Sequence, residues 1–291
     1  MAPKRALLIV NAKARSGEAL LQAAVERLEA YGITPVHVDC RKREDMTPRI
    51  VEHGRDADLV VVGGGDGTIN SAAEGVMRLK VPLGILPLGT ANDLARTLGI
   101  PTDLDGAARV IAEGRPHRID LGDVNGHPFF NVASIGLSVE LARVLTRDIK
   151  RRYGRLGYAF AAMRVLARAT PFRATIISDE GSAIVSTLQI AVGNGRYYGG
   201  GMAVEKTARI DDKHLDLYSL ELKRAWKLAF MAKSFRYGEH GAWDEVRAIR
   251  AKAFEIRTRR PRPVNADGEI VCETPARFTI KPGAVTVLVP D

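Results

Sequence analysis

The stretch that decides the fold is Leu59-Val60-Val61-Val62-Gly63-Gly64-Gly65-Asp66-Gly67-Thr68-Ile69-Asn70. Its apolar, mostly β-branched start predicts a buried strand, and the glycines that follow predict a tight turn into a helix. Glycines at such a turn let backbone N–H groups approach an anion closely, and a helix N-terminus favours negative charge. Asp66 would repel a phosphate unless a metal ion lay between them, so the stretch predicts a phosphate site that holds a metal.

The spacing of the glycines does not match the familiar nucleotide-binding signatures. The chain has no G-x-x-x-x-G-K-[ST] pattern and no Gly-Lys pair, which excludes Walker-type kinases. The G-x-G-x-x-G pattern also fails, because Thr68 or Asn70 stands where the third glycine would be. A dinucleotide-binding fold of the usual type is therefore disfavoured.

Apolar runs alternate with helical patterns over the first 120 residues, which predicts an α/β domain with a parallel, doubly wound sheet. The predicted strands are Ala6–Asn11, Val36–Val38, Leu59–Val62 and Leu83–Leu86, and the predicted helices are Ala19–Ala30, Thr47–His53, Ile69–Leu79, Ala91–Leu98 and one that ends at Glu113. Asp103 or Asp105 could cap the last of these helices. Since the carboxyl ends of parallel strands meet at one edge, Thr90, Asn92 and Asp93 are expected to face the glycine loop.

Strand-like alternation dominates after a boundary near Asp120–Asp123 and predicts a mainly antiparallel β-sandwich as the second domain. A helical insertion, roughly Ser138–Ala169, interrupts this pattern. The predicted strands are Phe129–Ala133, Ala174–Ser178, Leu188–Val192, Leu215–Leu220 and Ala253–Thr258.

The composition of the 291 residues, 46% hydrophobic and 26% charged, is typical of a folded globular protein and excludes extended disorder. The apolar runs fall short of the roughly 18 residues that span a bilayer, and the N-terminus lacks a signal-peptide pattern. Two cysteines, Cys40 and Cys272, make no disulfide framework and no C-x-x-C zinc site. These features predict a cytoplasmic protein.

The positive charge is concentrated in one part of the chain. Lys and Arg number 43 against 34 Asp and Glu, a net charge of +9, and the segment Arg143–Arg173 holds nine basic residues with Asp148 as its one acid. A basic balance fits nucleic acid, an anionic membrane surface or a phosphate-bearing substrate, so the charge alone does not choose among them.

The loops Gly63–Asn70 and Pro87–Arg96 together resemble the diacylglycerol kinase catalytic-domain family, which includes bacterial lipid kinases and the sphingosine and ceramide kinases. The resemblance covers nearly the whole chain. It continues in order through Asn131–Gly136, Gly193–Met202, Asp211-Asp212, Asp267-Gly268-Glu269 and Thr274-Pro275. The chain departs from the family pattern at Ser71, where Glu is common, and at Ala12, where Pro is frequent.

The resemblance implies an ATP- and Mg²⁺-dependent lipid kinase that transfers the γ-phosphate to a hydroxyl of a membrane lipid such as diacylglycerol. It implies a nucleotide-binding kinase domain over residues 1–122, completed by residues 278–291, and a β-rich lipid-substrate domain over residues 123–277. Asp267 matches the general base, with Glu269 beside it. Asp66, Asp93 and Glu269 match the network around the catalytic Mg²⁺. The nucleotide contacts it implies are Asn11, Cys40, Gly64, Gly65, Asp66, Gly67, Thr68, Ile69, Asn70, Thr90 and Asn92.

A second, structural Mg²⁺ site is also implied by the resemblance. Its ligands would be Asp211, His214 and Asp216, with His214 acting through its backbone carbonyl. A polar turn before the strand Leu215–Leu220 explains the same residues without a metal.

Two other functions stay open. A NAD kinase-like phosphotransferase shares the Gly-Gly-Asp-Gly-Thr loop, and a nucleic-acid- or membrane-binding protein with a degenerate kinase fold would use the basic segment. Few aromatic residues interleave with those charges, so no nucleic-acid partner is expected. We expect peripheral contact with an anionic membrane through Arg147, Lys150, Arg151, Arg152 and Arg155. The identity of the lipid, the choice between ATP and CTP, and a homodimer are left open by the sequence.

Overall fold

A computed structural model describes residues 3–10, 17–40, 42–144, 163–195, 197–198, 202–203, 209–222 and 245–291. These residues fall into two compact units. The first unit consists of Met1–Leu121, Gly199–Gly201 and Lys281–Asp291, and the second consists of Gly122–Tyr198 and Met202–Ile280.

The first unit is built on a parallel sheet. Its strands are β1 (Lys4–Val10), β2 (Ile33–His37), β3 (Leu59–Gly64) and β4 (Leu83–Pro87), and β5 (Arg115–Val124) and β18 (Ala276–Val289) have residues in both units. The order is β2-β1-β3-β4-β18, and the pairs among the first four strands are all parallel. Strand β18 joins the sheet parallel to β4, where Val287 pairs with Leu83.

The helices of this unit pack against the sheet as two pairs, α1 with α5 and α2 with α3. They are α1 (Gly17–Ala30), a 3₁₀ turn (Arg43–Asp45), α2 (Met46–His53), α3 (Asp66–Leu79), α4 (Asp93–Thr97) and α5 (Leu104–Glu113). Every residue of β3 is buried, as expected for a central strand covered on both faces. The cap of α5 is Asp103, whose Oδ1 accepts a hydrogen bond from the backbone N–H of Gly106 at 2.8 Å.

The second unit is a β-sandwich. Its elements are β6 (His127–Phe129), β7 (Val132–Gly136), α6 (Leu137–Val144), β8 (Phe172–Ser178), β9 (Gly181–Thr187), β10 (Gln189–Gly193), β11 (Tyr197–Tyr198), β12 (Met202–Ala203), β13 (Leu215–Leu220), β14 (Val246–Ala251), β15 (Ala253–Thr258), β16 (Pro263–Ala266) and β17 (Glu269–Glu273). One sheet has the order β14-β13-β10-β7-β16-β17 and is antiparallel throughout. In the other, β15 pairs antiparallel with β8 and with the start of β18, and β8 pairs with β9.

Side chains from both sheets of the sandwich share one core. Ile135 on β7 and Leu217 on β13 lie in the same buried cluster as Phe254 and Ile256 on β15 and Ile176 on β8. The alternation of buried and exposed residues along β8 is the pattern that predicts such a strand.

Among the sequence-based elements, one strand is wrong and one helix is described only in part. The single strand predicted over Phe129–Ala133 is wrong: β6 ends at Phe129 and β7 begins at Val132, because the N–H groups of Phe130 and Asn131 bond to the Asp267 carboxylate instead of a neighbouring strand. The long helix predicted over Ser138–Ala169 is described at its two ends alone, as α6 and as helical residues 163–168. Within the described ranges, no helix is both long and apolar enough to cross a membrane.

Candidate active site

Several predicted nucleotide contacts lie at one edge of the parallel sheet. Cys40 follows β2, Asp66 follows β3, and Asn92 follows β4, so all three lie at the carboxyl ends of strands in one parallel sheet. Asn11 follows β1 and lies outside the described residues. The fold therefore gathers these loops where open α/β sheets bind their ligands.

The two glycine loops touch each other. The backbone N–H of Leu88 donates to the carbonyl of Gly64 at 3.0 Å. A Cβ atom on Gly89 would lie 2.4 Å from the Cα atom of Gly65 and 2.7 Å from Oδ1 of Asn92. Only glycine fits at position 89, because any side chain would force the two loops apart.

Asn92 holds the second loop in shape. Its backbone is left-handed, with φ of 50°, and its side chain is buried. Its Oδ1 accepts from the N–H of Gly89 at 2.9 Å, and its Nδ2 donates to the carbonyls of Pro87 and Gly89 at 3.2 and 3.1 Å. The Asn92 side chain thus orients the loop, whereas Thr90, the other predicted contact in it, is exposed.

Asp66 and Asp93 are the first residues of α3 and α4. Oδ1 of Asp66 accepts from the backbone N–H of Leu94 at 3.0 Å, which ties the start of α3 to the start of α4, and Asp93 is buried. Two carboxylates beside a glycine-rich turn at a helix start fit Mg²⁺, which takes one or two carboxylates together with phosphates and water. The third predicted member of this network, Glu269, belongs to the second unit.

The first turn of α3 begins three residues earlier than predicted and so contains Asp66, Gly67 and Thr68. Thr68 is buried against Gly64, where a Cβ atom would lie 2.6 Å from Cβ of Thr68. Ile69 is fully buried, and its backbone N–H donates to the carbonyl of Gly65 at 3.1 Å. Asn70, also a predicted contact, is half-buried.

Arg43 is a residue of this region that sequence reasoning missed. Its Nη2 lies 3.0 Å from the position that a Cβ atom would take on Gly67, so glycine at 67 admits the guanidinium to the first turn of α3. No sequence pattern marked Arg43, because its nearness to Gly67 depends on how the 3₁₀ turn packs against α3.

Cys40 is half-buried just after β2, at the same edge of the sheet as the two glycine loops. Its Sγ lies 3.2 Å from the carbonyl oxygen of Lys42. Burial raises the pKa of the Cys40 thiol, and the negative charge of Asp45 raises it further. The side chain is therefore a neutral thiol at neutral pH.

Asp267, the predicted general base, is held by backbone N–H groups of the second unit. Its Oδ2 accepts from Phe130 at 2.7 Å, and its Oδ1 accepts from Asn131 and Val132, each at 3.1 Å. Its own N–H donates to the carbonyl of Val132 at 3.0 Å, and its φ of 45° is left-handed. Three N–H donors stabilise an ionised carboxylate and fix its orientation.

The motifs around Asn131, Asn194 and Asp267 meet because β7, β10 and β16 are antiparallel neighbours in one sheet. The N–H groups of Asn194 and Gly195 donate to the carbonyl of Asn131 at 2.8 and 3.1 Å. Nδ2 of Asn194 donates to the carbonyl of Phe130 at 2.8 Å. The sequence motifs identified these segments. They did not predict that the backbone N–H groups of residues 130–132 donate hydrogen bonds, because a backbone donor does not depend on the residue type.

The other predicted residues of the second unit are placed as follows. Glu269 is half-buried at the start of β17, and Asp211, His214 and Asp216 lie at or just before the start of β13. In the part of the chain that the structure describes, no three His, Cys, Asp or Glu side chains form a group that could hold a metal ion. The predicted membrane contacts Arg147, Lys150, Arg151, Arg152 and Arg155 lie outside the described residues.

The turn before β13 pairs its carboxylates with arginines. Arg209 donates to both carboxylate oxygens of Asp211, at 3.1 and 3.2 Å, and these hydrogen bonds raise the pKa of the Arg209 guanidinium. Arg250 donates to Oδ2 of Asp212 at 2.6 Å. Both carboxylate oxygens of Asp211, a predicted ligand of the structural Mg²⁺, therefore already bond to a cationic group.

Comparison with known proteins matches both units to described domains. The family model described as the diacylglycerol kinase catalytic domain matches residues 5–124, and the one described as the YegS C-terminal NAD kinase β-sandwich-like domain matches residues 131–289. The chain is also 33% identical over 277 residues to a protein of Mycobacterium tuberculosis named diacylglycerol kinase, an alignment that covers 92% of this chain and 88% of that one. The chain belongs to the diacylglycerol kinase family.

Other members of this family match along their whole length. A protein of Stenotrophomonas maltophilia named probable lipid kinase YegS-like is 30% identical, over 100% of this chain and 97% of its own. The crystal structure of a diacylglycerol kinase from Bacillus anthracis superposes with a TM-score of 0.81 at 27% identity, covering 98% of this chain and 97% of that one. These relations confirm the predicted family and fold class and identify the chain as an enzyme of the lipid kinase family.

Proposed function

We propose that the protein is an ATP- and Mg²⁺-dependent kinase that transfers the γ-phosphate to a hydroxyl group of a membrane lipid such as diacylglycerol. The observation that carries the proposal is the contact between the two glycine loops, with Asp66 and Asp93 at the helix starts that follow them. Backbone N–H groups and carboxylates together fit a metal-bound phosphate better than they fit any uncharged ligand.

In this proposal the first unit binds the nucleotide. The N–H of Thr68 donates to the carbonyl of Gly65 at 2.9 Å, so the first turn of α3 would offer the N–H groups of Asp66 and Gly67 to phosphate oxygens. Gly65 and Gly89 leave room for the phosphates because neither has a side chain. Asp66 and Asp93 would hold the Mg²⁺, with Glu269 assigned to the same network by resemblance. When bound, Mg²⁺ neutralises charge on the phosphates during transfer.

Asp267 acts as the general base on the lipid hydroxyl. Phosphoryl transfer needs a group that accepts the proton of the attacking hydroxyl. The N–H groups of Phe130, Asn131 and Val132 hold the Asp267 carboxylate in one fixed orientation, as a positioned base requires. The second unit, which holds Asp267, is accordingly assigned to the lipid substrate.

One observation supports a second candidate function. The matched description of residues 131–289 names a NAD kinase β-sandwich-like domain, so NAD is the alternative acceptor of the phosphate. The match of residues 5–124 to a diacylglycerol kinase catalytic domain favours the lipid.

The test measures transfer of labelled γ-phosphate from ATP, with and without Mg²⁺, to diacylglycerol, phosphatidylglycerol, a polyprenol, a sphingoid base and NAD. CTP replaces ATP in a parallel series. We expect a labelled lipid that depends on Mg²⁺, and we expect Asp267→Asn to lower the rate at least about 100-fold, the usual contribution of a general base.

A matched control separates chemistry from folding. Asp123 is also a buried carboxylate that accepts a backbone N–H, from Gly126 at 2.8 Å in the hairpin between β5 and β6. Asp123→Asn should lower stability without a comparable loss of rate. Labelling of NAD with no labelled lipid would overturn the lipid assignment, and equal rates for wild type and Asp267→Asn would overturn the base assignment.

A further inference from the structure

Three aspartates crowd the turn that leads into β13. The side chains of Asp211, Asp212 and Asp216 keep 21%, 13% and 14% of their exposed area, so all three carboxylates are largely withdrawn from water. Withdrawing three like charges from water within six residues is unfavourable unless positive charge lies beside them.

Two arginines supply that positive charge. Arg209 makes a two-pronged pair with Asp211, in which Nε and Nη2 each donate to one carboxylate oxygen. Arg250 donates to Asp212 at 2.6 Å, and its Nε lies 4.0 Å from Oδ1 of Asp216. Each of the three carboxylates therefore faces a guanidinium group.

The fold delivers Arg250 to this place by strand pairing. In the antiparallel pair of β13 and β14, Asp216 lies directly opposite Arg250, and opposite charges at such positions stabilise a sheet. The register of β13 and β14 therefore places Arg250 beside Asp216.

Other oxygens of the turn are also engaged. Oδ1 of Asp212 accepts from the backbone N–H of His214 at 3.0 Å, and the carbonyl oxygen of Asp212 lies 2.7 Å from Nδ1 of His214. A structural Mg²⁺, which the family resemblance implies for Asp211, His214 and Asp216, would have to displace an arginine to reach the carboxylates.

We infer that Arg209 and Arg250 take the place of a structural divalent cation in this chain, so that the turn folds without metal. Guanidinium groups match carboxylates with several directed hydrogen bonds, and they stay charged at every pH at which the protein is folded. If the guanidinium of Arg250 is removed, the carboxylates of Asp212 and Asp216 lose its positive charge, and we expect them to bind a divalent cation in its place.

The experiment compares thermal unfolding of the full chain in EDTA and in MgCl₂, without nucleotide, for the wild type, Arg250→Ala and Arg247→Ala. Arg247 is the matched control, because it lies on the same strand and pairs with Glu221 at 2.7 Å, away from the turn. Any Mg²⁺ bound at the nucleotide site contributes equally to all three proteins and cancels in the comparison. An Arg250→Lys variant keeps a positive charge on the strand.

We expect Arg250→Ala in EDTA to unfold about 3 °C below the wild type and to recover most of that loss in MgCl₂. The wild type, Arg247→Ala and Arg250→Lys should show equal, smaller responses to Mg²⁺. A wild type that responds to Mg²⁺ as strongly as Arg250→Ala would overturn the inference. So would an Arg250→Ala protein that responds no more than Arg247→Ala.

If Arg250→Ala does not fold in EDTA, its refolding on addition of MgCl₂ supports the inference, and failure to refold overturns it. This test is independent of the proposed kinase activity, because it measures unfolding alone. A protein without lipid kinase activity could still show the cation response, and an active kinase could lack it.

Discussion

Gly89 is the residue at which the contact between the two glycine loops can be tested. A methyl group at this position would lie 2.4 Å from backbone and 2.7 Å from the Asn92 side chain, so the loops must separate in Gly89→Ala. We expect the variant to bind ATP about tenfold more weakly, a loss of about 1.4 kcal/mol. Isothermal titration with ATP and MgCl₂ measures the affinity.

Gly32→Ala is the control for Gly89→Ala. Gly32 has φ of 76° and open space where a Cβ atom would lie, so alanine there strains the backbone without filling the nucleotide site. It should lower the free energy of unfolding by about 1 kcal/mol and leave ATP affinity unchanged. If the two variants lose affinity equally, the loop contact does not shape the nucleotide site.

Cys40 offers a test of a predicted nucleotide contact by chemical modification. Because burial and Asp45 raise the pKa of the Cys40 thiol, its thiolate fraction at pH 8 is below that of a free cysteine, and its alkylation should accelerate at higher pH than that of a free cysteine. Burial also raises the pKa of Cys272, the other cysteine of the chain. Mass spectrometry after iodoacetamide treatment should show that ATP protects Cys40 and leaves Cys272 unchanged. Protection of neither thiol would count against the Cys40 contact.

Residue-scale prediction from the sequence succeeded in naming the segments and failed in assigning their contacts. The glycines at 63–65 and 67 predicted a close approach, but the crowded contact lies between Gly65 and Gly89, which are 24 positions apart. Arg43 and Arg250 carried no pattern at all, because each is brought to its place by packing or strand register. The residue types alone therefore do not predict which of these residues lie close together.

At the scale of an element, the N-terminal cap of helix α5 can be tested, because the sequence offers two candidate aspartates. Asp103 accepts the N–H of Gly106, whereas Asp105 pairs with Arg27 at 3.5 Å on the surface. Asp103→Ala should lower the free energy of unfolding by about 1 kcal/mol, as lost N-caps do. Asp105→Ala should lower it less, because both the ion pair with Arg27 and the hydrogen bond that Asp105 accepts from the Tyr31 hydroxyl at 3.1 Å are exposed. Urea unfolding of both variants measures the two losses, and a larger loss of unfolding free energy for Asp105→Ala would contradict the assigned cap.

The elements themselves were largely predictable, since apolar periodicity and glycine positions indicate where strands and helices lie. The strands Leu215–Leu220 and Ala253–Thr258 are confirmed residue for residue. The break between β6 and β7 was not predictable, because its cause is a carboxylate 136 positions away from Asn131 that takes over the N–H groups of a strand. Local sequence predicts a strand only where the backbone groups of that strand form hydrogen bonds within its own sheet.

At the scale of the whole molecule, we expect the segment Arg143–Arg173, which holds nine basic residues and one acidic residue, to attach the protein to an anionic membrane. Each basic residue near such a surface contributes about 1 kcal/mol, so Arg151→Ala/Arg152→Ala should weaken binding to phosphatidylglycerol-containing vesicles roughly 30-fold. The chain provides a matched pair at Arg259 and Arg260, also adjacent and also basic. Vesicle sedimentation should show a large loss of membrane affinity for the Arg151/Arg152 variant alone. The affinity should also decline as the salt concentration rises, since salt screens the attraction. Equal losses for both pairs would mean that net charge, and no particular segment, holds the protein to the membrane.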